Sequence, residues 1–496
     1  GEFPKNFYWS VASAAYQIEG AWRADGKGLS IWDQFAHTPL KINNDENGDI
    51  ACDSYHKIEE DVAMLKAIKV THYRFSISWP RVLPDGTTEL INEAGLNYYE
   101  KLVDVLLAAN IQPQVTIYHW DLPQALQEVG GWENSTIVQR FKSYAELLFQ
   151  RLGEKVKFWI TLNEPYAIAN IGHGYGVSAP GKIPGRAPYI VGHNLIKAHA
   201  EVWHLYNETY RPKQKGLISL SMSSEWAEPK NPSKQEDIDA ARRHVQFYVG
   251  WFAHPIFKNG DYSELMKRRI QEKSQGQSRL PEFTESEKQR IKGTYDFFGL
   301  NHYTTVLASN LNYPAFLTSS SWLVDIQGVA TIADRSWLGS GSLWLKVTPF
   351  GFRKLLKWIK EEYNNPPIYV TENGISERVD ESLNDPWRTH YLKNYINEAL
   401  KAIVHDGVDL RGYTVWSLMD NFEWAVGYSE RFGLYYTNYT DPKLSRIPKE
   451  SSKYYSSIIR CNGFPDPATG PHLCLEPQPE GKKLLIVLNR FILRIG

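Results

Sequence analysis

Eight short segments with β-strand character recur along the 496-residue chain, and a longer segment follows each of them. They are residues 7–13, 72–79, 112–120, 156–165, 216–226, 296–305, 366–374 and 410–420. Between them, apolar residues recur at helical steps of three and four in segments such as 58–68, 91–110 and 351–363. Strands that alternate with helices predict a parallel sheet, and eight such units predict a closed α/β barrel, the (β/α)8 TIM barrel.

A doubly wound open sheet is the main alternative to the barrel. That fold normally has a glycine-rich first turn that binds a nucleotide, and the chain has no such turn. We therefore predict a single barrel domain over residues 1–465, with long βα-loop insertions at 274–287 and 306–346. Residues 466–496 are expected to form a C-terminal tail that is a linker or is partly foreign to the domain.

The charge balance and hydropathy exclude several kinds of partner. The net charge is −1, which gives no electrostatic reason to expect nucleic acid or an anionic membrane. No apolar stretch reaches the roughly 18 residues of a membrane-spanning helix. The apolar and basic end, "KKLLIVLNRFILRIG", is too short to span, so we expect membrane attachment only through segments absent from this chain.

The three cysteines do not form a metal-binding pattern. Cys52, Cys461 and Cys474 lack the spacing of zinc ligands, and no metal or cofactor is predicted. Cys461 and Cys474 could close a small loop, but spacing alone leaves the pairing open. N-glycosylation sequons at Asn134, Asn207 and Asn438 favour an extracellular or lumenal setting. Within that setting, we expect the full-length protein to be attached to the cell surface.

Polar and aromatic side chains gather where the predicted strands end. In a parallel barrel all the carboxyl ends of the strands open on one face, and catalytic groups are found there. The candidates, in chain order, are Gln17, Arg74, His119, Trp120, Asn163, Glu164, Asn301, Tyr303, Glu372, Trp416, Glu423 and Trp424. Their common position predicts one functional site at the mouth of the barrel.

Two of these residues, Glu164 and Glu372, suit the cleavage of a glycosidic bond. That reaction needs an acid to protonate the leaving oxygen and an ionised carboxylate at the sugar carbon. We expect strands four and seven to face each other across the mouth. Arg74 would then hold Glu372 ionised, and the negative charge of Glu372 would raise the pKa of Glu164.

Five motifs resemble those of family 1 of the glycoside hydrolases, the retaining β-glucosidase family. They are "FYWSVASAAYQIEG", "TLNEP", "GLNHYT", "VTENG" and "WSLMDNFEW", and the resemblance covers nearly the whole chain. It implies that Glu164 is the acid/base and Glu372 the nucleophile. It also implies nucleophile-tuning roles for Arg74, Asn301 and Tyr303. The residues that it places against substrate are Gln17, His119, Trp120, Asn163, Trp344, Trp416, Glu423 and Trp424.

The substrate is expected to be a small-molecule glycoside. A charged carboxylate at Glu423, with Gln17, could follow a sugar hydroxyl in either direction, so both β-glucosides and β-galactosides are expected. These include lactose-type disaccharides and aryl or lipid glucosides. The alternative is a non-catalytic, klotho-like receptor or glycan-binding domain, which would require a missing catalytic glutamate. The sequence leaves the oligomeric state unknown.

Overall fold

A computed structural model describes residues 1–183, 187–311, 321–331, 333–378 and 383–476 of the chain. The apolar end of the predicted tail, from residue 477 onward, lies outside the described residues. Its first part, from 466 to 476, carries two short 3₁₀ turns, Pro467–Thr469 and Leu473–Leu475. A disulfide joins Cys461 to Cys474, so the pairing left open by the spacing is present.

Eight parallel strands close into one barrel, and the TIM-barrel prediction is confirmed. In order around the barrel they are β1, β2, β3, β4, β5, β7, β10 and β12, after which β12 pairs with β1. Their bounds are β1 Tyr8–Ala12, β2 His72–Ser76, β3 Gln112–Tyr118, β4 Phe158–Asn163, β5 Leu217–Ser223, β7 Phe298–Asn301, β10 Ile368–Asn373 and β12 Leu410–Trp416. Each of the eight predicted segments contains one of these strands.

The barrel strands are buried because helices cover the outside and side chains fill the inside. Every residue of β4 and of β10 is buried. Strands covered on both faces read as nearly continuous apolar runs, such as "FWITL" in β4. Such a run must end in polar residues once it leaves the core, and this places functional groups at the barrel mouth.

Seventeen α-helices occur in the described residues, and the longer ones surround the barrel. Their bounds are α1 Ala15–Ile18, α2 Ile31–Ala36, α3 Ile58–Ile68, α4 Trp79–Val82, α5 Glu93–Ala108, α6 Gln124–Gln127, α7 Ile137–Leu152, α8 Ala187–Leu205, α9 Arg211–Gln214, α10 Gln235–Tyr248, α11 Gly250–His254, α12 Glu264–Lys273, α13 Glu285–Ile291, α14 Trp322–Ile326, α15 Pro349–Glu362, α16 Pro386–Val404 and α17 Glu450–Cys461. Helix α7 shows the pattern: Ile137, Phe141, Tyr144 and Leu148 form one buried stripe. Among the described residues, none of the helices has both the length and the apolar character needed to cross a membrane.

In the described part of the chain, three small sheets lie beside the barrel, and the predicted insertion at 306–346 contributes strands to one of them. Three strands, β6 (Trp226–Pro229), β8 (Thr305–Asn310) and β9 (Gly328–Thr331), form one of them. Two further pairs are β11 (Glu377–Arg378) with β13 (Glu430–Arg431), and β14 (Tyr435–Thr437) with β15 (Arg446–Pro448). The segment predicted as an insertion at 274–287 joins α12 to α13.

One geometric expectation was wrong. Strands four and seven of the barrel, β4 and β10, do not face each other directly. They are three positions apart on the ring, because only β5 and β7 separate them on the shorter side. The spacing follows because each barrel strand pairs with the next barrel strand along the sequence. The strands that carry Glu164 and Glu372 are therefore one position short of directly opposite each other on the ring of eight.

Candidate active site

A cavity of about 370 Å³ opens at the carboxyl ends of the barrel strands. Most of the predicted site residues line it: Gln17, His119, Trp120, Glu164, Asn301, Tyr303, Trp344, Glu372, Trp416, Glu423 and Trp424. Arg74 and Asn163 do not line it but contact residues that do, from the interior of the barrel. The structure thus brings all the predicted residues into one site.

Glu372 is held by a cation and a phenol. Arg74 Nη1 donates to its Oε1 at 2.9 Å, and Tyr303 donates to its Oε2 at 2.5 Å. Burial raises the pKa of Glu372 above its usual value, although the charge of Arg74 and the hydrogen bonds from Tyr303, Arg74 and Asn301 oppose the rise. These contacts fix both carboxyl oxygens and favour the ionised form against the cost of burial.

The side chain of Asn163 is fixed by neighbouring strands. Its Oδ1 accepts from Arg74 Nη2 at 2.6 Å and from Asn301 Nδ2 at 3.0 Å. Its Nδ2 donates to His119 Nε2 at 3.0 Å and lies 3.5 Å from a carboxyl oxygen of Glu164. The amide therefore connects the Arg74–Glu372 pair to the second carboxyl group.

His119 is neutral, and its tautomer follows from this contact. Burial first, and then the charge of Arg74, lower the pKa of His119 well below its usual range. Because Nε2 accepts from Asn163, the proton of the neutral ring lies on Nδ1. Nδ1 has no protein partner among the described residues. It is a donor for a polar group that enters the cavity.

Glu164 combines a strained backbone with a raised pKa. It follows the last residue of β4 with φ of 51°, in the left-handed region that non-glycine residues rarely adopt. Burial, and next the charge of Glu372, raise its pKa to about 8, although Arg74 and Ser223 oppose the rise. At neutral pH the side chain thus holds a proton beside an anionic neighbour, as a general acid requires.

Gln17 and Glu423 form a polar end of the cavity. Gln17 Nε2 donates to the carbonyl oxygen of Phe422 at 2.8 Å and lies 3.4 Å from Glu423 Oε2, while its Oε1 has no partner among the described residues. Burial, then the charges of Glu430 and Glu372, raise the pKa of Glu423 well above its usual range. This differs from the expected charged carboxylate: with its proton, Glu423 can donate as well as accept.

Aromatic rings form the apolar wall of the cavity. The rings of Trp120 and Trp424 lie 4.6 Å apart, and the His119 ring stacks between Trp416 and Trp424 at 5.9 and 6.0 Å. Trp344 is half-exposed at the rim and meets Tyr303 edge to face at 5.6 Å. Flat apolar surfaces beside polar groups suit the C–H faces and hydroxyl groups of a sugar ring.

Several lining residues were not predicted from the sequence: Ser223, Glu225, Tyr248, Glu430 and Phe432. Ser223 is the last residue of β5 and Glu225 follows it, and the polar strand end "SSEW" gave the same kind of signal as the other strand ends. Tyr248 ends α10, and Glu430 lies in β13. These last two come from elements outside the barrel strands, so no strand-end pattern indicated them.

The predicted sequons lie on the surface loops and helix ends. Asn207 Oδ1 accepts from Arg211 Nε at 2.8 Å, and Asn438 Oδ1 accepts from the Thr440 hydroxyl at 2.7 Å. The Asn134 amide nitrogen donates to the carbonyl oxygen of Val129 at 2.8 Å. All three asparagines are partly exposed. In the described part of the chain, no group of three histidine, cysteine or acidic side chains could hold a metal ion.

Comparison with known proteins gives a consistent result. The sequence profile described as Glycosyl hydrolase family 1 matches residues 1–464. The chain is 71% identical over its whole length to human lactase/phlorizin hydrolase, and it spans about a quarter (26%) of that protein. It is 46% identical to human cytosolic beta-glucosidase, with 93% of this chain and 99% of that protein covered.

Solved structures share the fold at similar identity. Aphid myrosinase superposes with a TM-score of 0.89 at 42% identity, covering 93% of this chain and 100% of its own. A rice beta-glucosidase superposes with a TM-score of 0.88 at 42% identity, covering 92% and 98% of the two chains.

Proposed function

The chain belongs to glycosyl hydrolase family 1, and from this premise we propose that it is a retaining β-glycosidase acting on β-glucosides and β-galactosides. The observation that carries the proposal is the contrast between two neighbouring carboxyl groups. Glu372 is paired with Arg74 at 2.9 Å, whereas the pKa of Glu164 is raised to about 8. Double displacement requires one carboxyl whose contacts stabilise its charge and a second that holds a proton.

In the first step, a carboxylate oxygen of Glu372 attacks the anomeric carbon. Glu164 transfers its proton to the glycosidic oxygen, the bond from that oxygen to the anomeric carbon breaks, and the aglycone leaves as an alcohol. Glu372 becomes a glycosyl ester and loses its negative charge. Arg74 and Tyr303 fix its two oxygens, so the nucleophile needs no reorientation.

In the second step, Glu164 acts as a base. Because its anionic neighbour has become a neutral ester, the pKa of Glu164 falls and it remains ionised. It accepts a proton from water as the water oxygen attacks the anomeric carbon and the ester bond to Glu372 breaks. Two inversions retain the β-configuration, and both carboxyls return to their starting states.

The polar end of the cavity supports the breadth of sugar specificity. The side chain of Gln17, the Nδ1 proton of His119 and the carboxyl of Glu423 provide both donors and acceptors for sugar hydroxyls. Since glucose and galactose differ in the direction of one hydroxyl, groups of this kind can bind either sugar. Lactose is included among the substrates, in keeping with the 71% identity to a lactase/phlorizin hydrolase. Aryl and lipid glucosides are included on the same grounds.

The non-catalytic, klotho-like alternative is not favoured. A receptor or glycan-binding domain on this fold would have no need of a protonated acid beside an anion. Here both glutamates are present and both line the cavity. The hydrogen bonds from Arg74 and Tyr303 to Glu372 also stabilise its ionised form, and they do not hold a surface loop in place.

The proposal extends to the setting of the protein. The disulfide between Cys461 and Cys474 and the sequons at Asn207 and Asn438 support an extracellular or lumenal location. In the full-length protein we place the domain, residues 1–465, at the cell surface, with 466–496 as a linker. The partner is a small-molecule glycoside, with no nucleic acid and no role for a cofactor.

Azide rescue of two variants tests the roles of the carboxyls. Glu372→Gly should lose turnover of an activated aryl glucoside, and sodium azide should restore it with formation of the α-glycosyl azide. Glu164→Ala should give the β-glycosyl azide, because azide then attacks the glycosyl-enzyme from the opposite face. The anomers are identified by proton NMR.

Glu228→Gln is the matched control for these variants. Glu228 pairs with Lys354 at 2.5 Å on β6 and does not line the cavity, so azide should produce no glycosyl azide with this variant. Interchanged anomers would contradict the assignment of the two roles. Unimpaired turnover by Glu372→Gly would contradict the proposed function itself.

A further inference from the structure

The cavity is lined by an excess of acidic side chains. Five glutamates contribute to it, at positions 164, 225, 372, 423 and 430, whereas no lysine or arginine does so among the described residues. Glu164 and Glu372 perform the proposed reaction, and Glu423 lies at the sugar end. Glu225 and Glu430 have no role in that chemistry. Glu164 and Glu423 hold protons and Glu372 is paired with Arg74, so a negative charge open to a ligand would have to come from Glu225 or Glu430.

Glu430 already has close partners. Its carboxyl accepts a hydrogen bond from Ser342, which also contacts Ser376. This network connects the loop that carries Trp344 to β13. Glu430 therefore has a structural role that explains its presence.

Glu225 is different, because its side-chain partner in the described chain is a histidine and not a lysine, an arginine or a hydroxyl network. Its Oε2 accepts from His244 Nε2 at 3.0 Å, and no lysine or arginine of the described chain pairs with it. The Glu225 side chain is 26% exposed and lines the cavity, whereas the His244 side chain is 5% exposed. One face of the carboxyl is thus held and the other is open to a ligand.

Glu225 lies on the Glu164 side of the cavity. The phenol of Tyr248 connects the two: it is held in the wall by stacking on Tyr166 at 3.8 Å, two residues after Glu164. Burial, and then the charges of Glu225 and Glu164, raise the pKa of Tyr248 well above its usual range. Tyr248, Ile171 and Glu225 all line the cavity, and His244, the partner of Glu225, lies 5.8 Å from the Tyr248 ring, so Glu225 and Tyr248 belong to one wall. Since Glu164 protonates the leaving oxygen, this wall contacts the aglycone.

We propose that Glu225 is a specificity-determining residue that favours β-glycosides whose aglycone has a positively charged ammonium group. The proposal rests on the proposed function and goes beyond it by naming a class of aglycone. An open carboxylate beside the Tyr248 ring offers a cation both charge pairing and the face of an aromatic ring. Neutral aglycones gain only the ring contact.

Two isosteric substrates test this inference. The trimethylammonioethyl β-glucoside has a cationic aglycone, and the 3,3-dimethylbutyl β-glucoside has the same shape without the charge. The quantity to compare is kcat/KM for the cationic substrate divided by kcat/KM for the neutral one. We expect Glu225→Gln, which keeps an acceptor for His244, to lower this ratio about three- to five-fold. In the unaltered protein, 0.5 M sodium chloride should lower the same ratio, and in Glu225→Gln it should not.

Glu228→Gln is again the control, because it removes a nearby carboxylate that does not line the cavity. An unchanged ratio in Glu225→Gln, or an equal change in the control, would overturn the inference. If either of these results is found while aryl glucosides are hydrolysed and azide rescue works as described, only the role of Glu225 is refuted and the proposed function stands. If the unaltered protein hydrolyses no glycoside, both proposals fail together.

Discussion

Asn163 joins three parts of the barrel through one amide group. Its oxygen accepts from Arg74 on β2 and from Asn301 at the end of β7, and its nitrogen donates to His119 just after β3. All four side chains are buried. Groups held in this way keep their positions when a substrate enters, which is what electrostatic stabilisation of a transition state requires.

The pKa of Glu164 predicts how the activity depends on pH. Glu164 must be protonated in the first step, and its raised pKa keeps it protonated until the pH approaches about 8. We therefore expect kcat/KM to fall as the pH rises through about 8. In Glu372→Gln, loss of the neighbouring charge should lower the pKa of Glu164, measured by carbon-13 NMR of labelled glutamate side chains. An unchanged pKa would exclude the coupling.

Glu423 is expected to act on the substrate rather than on stability. Because Glu423 holds its proton, Glu423→Ala should lower kcat/KM about 2- to 10-fold for both aryl glucosides and aryl galactosides, as for the loss of a hydrogen bond between neutral groups. Glu423→Gln, which keeps a donor and an acceptor, should lose less. If Glu423 served only the surrounding loop, both variants would lower the melting temperature and leave kcat/KM unchanged, so both quantities are measured on one preparation.

Strand β13 separates the cavity from a buried network of charges. Successive side chains of a strand point to opposite sides, and here Glu430 lines the cavity while Arg431 points inward. Asp420 accepts from Arg431 at 2.9 Å and from Lys449 at 2.8 Å. The segment that carries Glu423 therefore depends on ion pairs behind it.

Removing the central carboxylate of this network should destabilise the fold. Asp420→Asn leaves Arg431 and Lys449 buried without a counter-charge, which typically costs about 3–5 kcal/mol of unfolding free energy. Asp409→Asn is the control: its pair with Arg411 is exposed, and its loss should cost about 0–1 kcal/mol. Urea denaturation at pH 7 measures both, and equal losses would contradict the role assigned to the network.

The same variant has an expected pH dependence. Burial raises the pKa of Asp420, but Lys449 and Arg431 together lower it to a net value below the usual range. A lowered folded-state pKa contributes stability above the unfolded value of about 3.9 and loses it as the pH falls further. The difference between the unaltered protein and Asp420→Asn should therefore shrink only below about pH 4.

The barrel strands could be predicted from the sequence because their pattern is local. A buried strand such as β4 needs a run of apolar residues, and the first polar residues after it, Asn163 and Glu164, must lie at the mouth. The family resemblance was confirmed independently, by the sequence profile that matches residues 1–464. Glu430 could not be predicted, because β13 reaches the cavity only through its pairing with β11, far away in the sequence. The ring spacing of β4 and β10 likewise depends on the closed barrel.

The first and last parts of the described chain are fastened to each other. Asn462, just after α17, accepts from Trp9 Nε1 at 2.9 Å and donates to the carbonyl oxygen of Phe3 at 2.8 Å. Its own carbonyl oxygen accepts from the Phe3 amide at 2.8 Å. These bonds hold β1 and α17 together across the chain, so they stabilise the barrel as a unit.

Two substitutions at Asn462 separate its hydrogen bonds from its backbone conformation. Asn462 has φ of 48°, which glycine adopts without strain. Asn462→Gly should lower the unfolding free energy by about 1–3 kcal/mol through lost hydrogen bonds. Asn462→Ala should lower it by about 1–2 kcal/mol more, because alanine disfavours this conformation. Urea denaturation measures both, and equal stability of the two variants would contradict this account. Activity at 25 °C should not change.

Closure of the barrel by its first and last strands has a consequence during synthesis. Tyr8 in β1 pairs with Gly412 in β12, so roughly 400 residues must be translated before β1 gains its second neighbour. At translation rates of about 5–20 residues per second, the wait is roughly 20 to 80 s. We expect ribosome-bound chains that stop before residue 410 to be cleaved readily by protease within residues 1–20, and chains that extend past 465 to resist cleavage there. A growing chain thus has an unpaired sheet edge at β1 for most of the time in which this domain is synthesised, and a chaperone that shields this edge would protect the chain during that time.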